Sequence, residues 1–390
     1  MKKWIAFLSL AVVLCAACQE KPKTGDAVDK SISAPAAESN SIVIGSILAL
    51  SGGQASFGIN TKKGIELAIQ QIEASGGLLG KKIKLVSMDD QSKPEEAATI
   101  MTRLATQDKV VAVLGDIASS NSLAMAPIAQ ANHVPMVSPS STNPKVTAVG
   151  DYIFRVCFID PFQGTVMAKF AMNTLGAKRV AILRDMKNDY SIGLADFFAK
   201  TFVAMGGEIV SDESYAEGDV DFKSQLTSIK AKNPEAIFVP GYYTEVGLVA
   251  RQAQELGVTV PLLGGDGWDS TKLTEIGGAA MNGNYFSNHY SPDDPSPVGQ
   301  KFLADFKAAY GIVPDGMAVT GYDAMLVLAD AIQRAGSTEP EALRAALAQT
   351  TNFPGASGTI TIDAARNAVK PAVVLRVQDG HFVFQEKVEP

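Results

Sequence analysis

The apolar residues of the chain form short continuous runs that alternate with longer segments in which apolar residues recur every three or four positions. Residues 61–75 are of the second kind, which predicts an amphipathic helix. Residues 110–114 (VVAVL) are of the first kind, as is typical of a strand in a parallel sheet that helices cover on both faces. The alternation predicts an α/β fold.

This alternating series occurs twice, first over residues 41–158 and again from residue 160 onward. Two such series in one chain predict two doubly wound, Rossmann-like lobes. Near the end, Asp379-Gly380 stands between two apolar runs and predicts a hairpin turn. The predicted strands cover 41–48, 83–88, 110–114, 134–137, 179–183, 208–210, 236–239, 261–263, 357–362, 373–377 and 382–384; the predicted helices cover 61–75, 95–107, 119–132, 160–175, 190–205, 222–232, 245–256, 297–310, 317–335 and 340–350.

The first residues have the pattern of an export signal. A short basic region is followed by an apolar run at residues 4–14, which is too short for a membrane span of about 20 residues. Small residues then end at Cys18, in a pattern similar to a bacterial lipobox, although Cys15 stands where such a box usually has Leu. We expect residues 1–17 to be a signal peptide and Cys18 to be lipidated. The alternative is an ordinary signal peptide whose cleavage releases the protein.

The segment that follows, residues 18–41, is rich in Lys, Pro, Ser, Ala and Glu and has few large apolar side chains. This composition predicts a flexible linker, which would hold the folded part to the membrane through the lipid alone. With or without the lipid, the signal places the protein outside the cytoplasm, in the periplasm or cell envelope.

Composition narrows the classes of function. The 390 residues include 34 basic and 41 acidic side chains, and no local charge run supplies the basic face that a nucleic-acid-binding protein needs. Three cysteines and three histidines without zinc spacing predict neither a metal site nor a cofactor. The histidines, including His289, are predicted to be structural or solvated. Because no nucleophile–base arrangement is recognisable either, we expect no catalytic residues and no enzymatic activity.

Hydroxyl side chains gather after two predicted strands, at residues 115–122 (GDIASSNS) and 138–144 (SPSSTNP). Ser119 stands where a helix N-cap belongs, and the start of a helix favours an anion. Ligands of open α/β sheets bind at such strand ends, so the two clusters could hold one carboxylate. Ordinary capping and turn chemistry explains the same residues and stays open as the alternative.

The loop at residues 50–58 (LSGGQASFG) resembles the opening loop of the branched-chain amino-acid (Leu/Ile/Val) binding proteins of ABC transporters, which are type I periplasmic binding proteins. Other matching motifs occur in the family's order and cover nearly all of residues 42–390. They are Gly76-Gly77, Asp89-Asp90, Ser119-Ser120, residues 137–144, Phe154-Arg155, 189–193 (DYSIG), 241–247 (GYYTEVG) and 264–267 (GGDG).

The resemblance implies two lobes joined by three crossovers, with a ligand between them and closure of the lobes around it. The first lobe would contain residues 42–158 and 290–357. The second lobe would contain residues 159–289 and 358–390. An ABC permease in the membrane would be the partner of this receptor, which we expect to be a monomer.

The resemblance also implies which residues contact the ligand. In the first lobe, Ser119 and Thr142 would bind its carboxylate, while Ile117, Ala118 and Ser140 would contribute backbone or packing contacts.

Three further contacts are implied in the second lobe, and one more in the first. Asp266 would meet the α-ammonium group, Tyr190 and Tyr242 would close over the ligand, and Phe57 would cover its side chain. The best-known members carry Glu at the position of Asp266 and Trp at that of Phe57. The identity of the ligand's side chain therefore stays open. A sensory receptor of the same fold, or a receptor for an aromatic acid, an amide or urea, is the alternative.

Overall fold

The computed structural model describes residues 41–390. The predicted signal peptide, Cys18 and nearly all of the predicted linker lie outside these residues. Within the described part of the chain, none of the helices combines the length and apolarity that a membrane span requires.

The first sheet contains five parallel strands, and helices cover both of its faces. Successive residues of the strand Ser41–Leu48 point to opposite sides of the sheet, so that Ile44 packs in one core cluster and Ile47 in another. The strand order is β2 (Lys82–Asp89), β1 (Ser41–Leu48), β3 (Ala112–Leu114), β4 (Met136–Ser138) and β5 (Ile153–Arg155); the intervening helices are α1 (Ala55–Ala74), α2 (Pro94–Thr106), α3 (Ser119–Ala131) and α4 (Lys145–Ala148).

The second sheet has seven strands, five of them parallel, and is completed at one edge by an antiparallel hairpin. The hairpin turns at the predicted Asp379-Gly380, where both residues have positive φ. The strand order is β15 (His381–Val388), β14 (Ala372–Gln378), β10 (Tyr285–Asn288), β9 (Leu262–Gly264), β8 (Ala236–Phe238), β6 (Arg179–Asp185) and β7 (Glu208–Tyr215); the helices are α5 (Asp160–Lys169), α6 (Asp189–Ala204), α7 (Lys223–Ala231), α8 (Tyr243–Glu255) and α9 (Thr271–Gly277).

The chain returns to the first sheet before it forms the hairpin. Helix α11 packs against α1 and against the strands β3 and β4. The two helices approach closely at glycines, since a Cβ atom on Gly64 would lie 1.9 Å from the carbonyl oxygen of Ala318. This returning segment contains α10 (Pro297–Tyr310), α11 (Gly316–Ala335), α12 (Pro340–Ala348) and a small sheet of β11 (Phe353–Gly355), β12 (Gly358–Ile362) and β13 (Ala368–Val369).

The predicted alternation is confirmed, with local differences that have physical causes. The strand predicted at 110–114 is regular only from Ala112, because the Val110 N–H donates to the Leu104 carbonyl at the end of α2. The helix predicted at 160–175 is α-helical only to Lys169 and continues as a π-helical turn, Phe170–Thr174. Strand β7 is longer than predicted. It lies at a sheet edge, where polar residues are tolerated, and these residues interrupt the apolar run on which the prediction relied.

Candidate ligand-binding site

A small cavity lies between the carboxyl ends of the strands of the two sheets. About 250 Å³ of space that no atom occupies, open solvent included, lies among its lining residues. Seven of the nine predicted residues line it: Phe57, Ile117, Ser119, Ser140, Tyr190, Tyr242 and Asp266. Its other lining residues, which were not predicted, are Gln54, Gly267 and Met317.

One wall of the cavity is the start of helix α3. Ser119 is the first residue of that helix and not its N-cap as predicted, because Ala118 occupies the cap position. Ala118 is buried but does not line the cavity. No side chain caps the helix, and the Ser119 hydroxyl instead accepts a hydrogen bond from the Asn143 N–H at 3.2 Å. The first turn therefore presents N–H groups that favour an anion.

The loop after β4 lies beside this helix start. Thr142 in this loop does not line the cavity; it is buried, and its hydroxyl lies beside the buried carboxyl group of Asp160. The loop is fixed from behind by Arg155, whose buried guanidinium donates to the carbonyls of Ser141 and Asn143. Ser140 lines the cavity and shares a hydrogen bond of 3.1 Å with Thr320 of α11.

Asp266 stands on the opposite side, immediately after strand β9. Its side chain is buried, and each oxygen has one neutral partner. Gln163 Nε2 donates to Oδ1 at 3.0 Å, and His289 Nε2 lies 3.0 Å from Oδ2. The Ser287 hydroxyl donates at 3.0 Å to Oε1, the side-chain amide oxygen of Gln163. This bond orients the side-chain amide so that its NH₂ group faces Asp266.

His289 is the partner that the sequence did not reveal. It was predicted to be structural or solvated, and its position just after strand β10 brings it against Asp266. Burial lowers the pKa of His289, so the imidazole is neutral at pH 7 and donates through Nε2–H. Among residues 41–390, no lysine or arginine lies within ion-pair distance of Asp266. The charge of this buried carboxyl group therefore lacks a cationic partner.

Aromatic side chains form the roof of the cavity. The rings of Tyr190 and Tyr242 stack with their centroids 5.3 Å apart, and Phe57 meets Tyr242 edge-on at 5.9 Å. Burial raises the pKa of both tyrosine hydroxyls well above the usual value, so both are neutral. The Gly267 N–H donates to the Tyr190 hydroxyl at 3.1 Å, which anchors the stack beside Asp266.

Hydrogen bonds also join elements of the two sheets around the rim of the cavity. The hydroxyls of Ser56 and Ser270 lie 2.7 Å apart, and the Thr244 hydroxyl donates to the Gly53 carbonyl at 3.1 Å. On the other side, the Ser120 hydroxyl accepts a bond of 3.0 Å from the Asp189 N–H. The cavity is therefore closed on both flanks.

A two-sheet α/β chain with an enclosed polar cavity between its sheets is the architecture of a solute-binding receptor. Residues 41–381 match the family described as periplasmic binding protein, and the chain belongs to this family. It has the type I periplasmic binding protein fold. No group of three or more His, Cys, Asp or Glu side chains in the described part of the chain could hold a metal ion.

Known proteins share this architecture over most of their length. The Leu/Ile/Val-binding protein BraC3 of Rhizobium johnstonii is 34% identical over 322 residues, which are 82% of this chain and 87% of BraC3. The leucine-binding protein LivK of Thermotoga maritima is 44% identical, with a TM-score of 0.87 over 90% of this chain and 99% of LivK. Streptococcus pneumoniae LivJ, solved in complex with isoleucine, is 35% identical, with a TM-score of 0.85 over 90% of this chain and 100% of LivJ.

A more distant relative has a different ligand. The solute-binding protein RPA0668 of R. palustris, solved in complex with benzoate, is 27% identical. The two structures align over 90% of this chain and 97% of RPA0668, with a TM-score of 0.82. Receptors with this fold therefore bind ligands both with and without an amino group.

Proposed function

We propose that the protein is an extracytoplasmic receptor that captures one amino acid between its two lobes and delivers it to an ABC transporter permease. One observation carries the proposal. Asp266, a buried acid with no lysine or arginine partner in the described part of the chain, faces the start of helix α3 across the same cavity. A zwitterionic ligand satisfies both groups at once.

The electrostatics favour an α-amino acid over a ligand with a single charge. Burying an unpaired ion costs several kcal/mol, so a ligand in a closed cavity needs a partner for each charge. The N–H groups at Ser119, together with its hydroxyl, would bind the carboxylate. Asp266 would bind the ammonium group. Thr142 would add its hydroxyl to the carboxylate site, with Ala118 packing behind it.

The rest of the cavity would hold the side chain of the ligand. Phe57, Tyr190, Tyr242, Met317 and Ile117 give it a largely apolar wall. Together with the names of the similar proteins, this wall supports a branched-chain or other apolar amino acid.

We further propose the lobe boundaries predicted from the sequence: residues 42–158 with 290–357, and residues 159–289 with 358–390. The strands of the first sheet lie in the first set and those of the second sheet in the second set, which supports this division. We also propose that the protein acts as a monomer.

Family membership supports export and the absence of catalytic chemistry. We propose that residues 1–17 direct export and that lipidated Cys18 tethers the receptor to the membrane. A lipid mass on the N-terminal peptide, and its loss in Cys18→Ser, are the expected results in mass spectrometry. A wild-type protein that is wholly soluble after export, with no lipid on that peptide, would contradict the tether.

An aromatic acid is the second candidate ligand, because the R. palustris protein was solved with benzoate. Such a ligand would pair with the start of α3 but leave Asp266 without a cation. The two candidates are therefore distinguished by Asp266.

Calorimetry of the wild-type protein against the twenty amino acids and benzoate tests the proposal. We expect an amino acid to bind and Asp266→Asn to lose at least about a hundredfold in affinity, since removing one partner of a buried charge pair costs about 3–5 kcal/mol. Asp293→Asn, a change at an exposed acid outside the cavity, is the matched control. Unchanged affinity in Asp266→Asn, or binding of benzoate alone, would refute the amino-acid site.

A further inference from the structure

One polar group on the cavity wall has no role in binding a backbone zwitterion. Gln54 immediately precedes helix α1, lines the cavity and is only 3% exposed. Its amide oxygen is buried, with no hydrogen-bond partner among residues 41–390. A buried acceptor without a hydrogen bond raises the free energy of the folded protein, so a ligand that donates to this oxygen would be favoured.

The orientation of the amide is set by a neighbour from the second sheet. Gln54 Nε2 lies 3.5 Å from Oε1 of Glu217, in the loop after β7. Because an ionised carboxylate only accepts hydrogen bonds, the NH₂ group of Gln54 faces Glu217. Burial raises the pKa of Glu217, and the hydrogen bond from Gln54 opposes that rise. The amide oxygen is thereby left for another donor.

The position of Gln54 indicates which part of the ligand supplies that donor. Ser119 and Asp266 account for the carboxylate and ammonium groups. Gln54 lies one turn before Phe57, whose N–H donates to the Gln54 carbonyl at 3.0 Å, and Phe57 covers the side-chain end in the proposed binding mode. The acceptor therefore stands at the side-chain end of the cavity.

We propose that Gln54 is a specificity-determining residue, and that the receptor prefers an amino acid whose side chain carries a hydrogen-bond donor. This inference rests on the proposed amino-acid function and departs from the apolar side chain proposed there, because the wall also contains the buried acceptor of Gln54. Threonine and valine are nearly equal in shape and differ in one hydroxyl, so they form the ligand pair that isolates the role of Gln54. A site with a buried acceptor discriminates against the ligand that leaves the acceptor unpaired.

The test is calorimetry of the full-length protein with threonine and valine, in the wild type and in Gln54→Leu. Leucine has about the size of glutamine but no acceptor. Gln70→Leu, on the exposed side of α1, is the control for a glutamine change elsewhere on that helix. Thermal unfolding of each variant establishes that it is folded.

We expect the wild type and Gln70→Leu to bind threonine about tenfold or more tighter than valine, and Gln54→Leu to lose or reverse this ratio. The proposal is overturned if wild type binds valine or leucine as tightly as threonine, or if Gln54→Leu keeps the wild-type ratio. If no amino acid binds to the wild type, the proposed function itself fails. Asp266→Asn distinguishes the two failures, because it abolishes binding of both ligands whichever side chain is preferred.

Discussion

Asp266 is held by two donors and neutralised by neither of them. Gln163 and neutral His289 fix the two oxygens in place, each at 3.0 Å, without supplying positive charge. This arrangement orients the carboxyl group before a ligand arrives, which reduces the cost of ordering it on binding. His289 is thus a positioning residue for Asp266.

Replacing His289 tests this role. His289→Leu removes the donor from Asp266 Oδ2, so we expect a loss of about tenfold in amino-acid affinity and of about 1–3 kcal/mol in stability. His289→Gln can place an amide NH₂ near the position of Nε2 and should recover part of both. Titration calorimetry and denaturant unfolding give the two quantities. If the leucine and glutamine variants bind equally well, the donor is irrelevant.

Individual site residues could be predicted where one short motif places them. Ser119, Ser140 and Asp266 lie in the loops at 115–122, 138–144 and 264–267, shortly after strands, and all three line the cavity. Their roles in binding were implied by the family resemblance and stay predictions. His289 and Gln163 could not be predicted, because they lie 23 and 103 positions from Asp266 and meet it only after the second sheet has packed.

At the scale of elements, the start of helix α11 brings together two acids, the buried Asp269 and the partly exposed Asp315. Asp315 caps the helix by accepting from the Ala318 N–H, and Asp269 accepts from the Gly316 N–H and from Asn288. Burial and the proximity of Asp315 raise the pKa of Asp269 to about 8, and burial raises that of Asp315 to about 6. The folded state therefore keeps protons that the unfolded chain loses near pH 4.

Stability should consequently fall as pH rises. Between pH 4 and pH 8 the folded protein binds more protons than the unfolded chain at these two acids, so deprotonation favours unfolding. We expect unfolding free energies from denaturant titration to be lower at pH 8 than at pH 5.5. Asp269→Asn, which can keep the accepted hydrogen bonds, should reduce this loss by at least ~1 kcal/mol. Asp293→Asn should leave the pH profile unchanged, and an equally steep profile in Asp269→Asn would contradict the assignment.

Elements were predictable where the hydrophobic period is strong. The predicted helix at 297–310 coincides with α10, whose start is marked by Ser296 and Pro297 and whose end is marked by Gly311. Strands β5 and β10 were missed, because β5 has only three residues and β10 (YFSN) carries buried polar side chains that break the apolar run.

At the scale of the whole molecule, the proposed anchors lie on opposite sides of the cavity. Helix α3 follows strand β3 of the first sheet, and Asp266 follows strand β9 of the second sheet. In the proposed binding mode, a zwitterion would touch both anchors only with the lobes shut, so we expect it to bind the closed state more tightly and to shift the population toward it.

Small-angle scattering measures this shift. We expect a smaller radius of gyration with the bound amino acid than without it. The deaminated analogue should bind weakly and close the lobes poorly, because it leaves Asp266 unpaired. The backbone change should fall where the chain passes between the proposed lobes, near residues 158–161, 286–291 and 356–370. Equal compaction by the amino acid and its deaminated analogue would argue against the two-sided clamp.

The hydrogen bonds that close the rim also govern kinetics. Ser56 is hydrogen-bonded to Ser270 on one flank of the cavity, and Ser120 to Asp189 on the other. A bound ligand would therefore leave only after these hydrogen bonds break. Its residence time should therefore follow the rate at which the lobes separate, even for ligands of quite different affinity. A permease that separates the two sides of the rim would release the ligand without competing for any of the contacts between ligand and receptor.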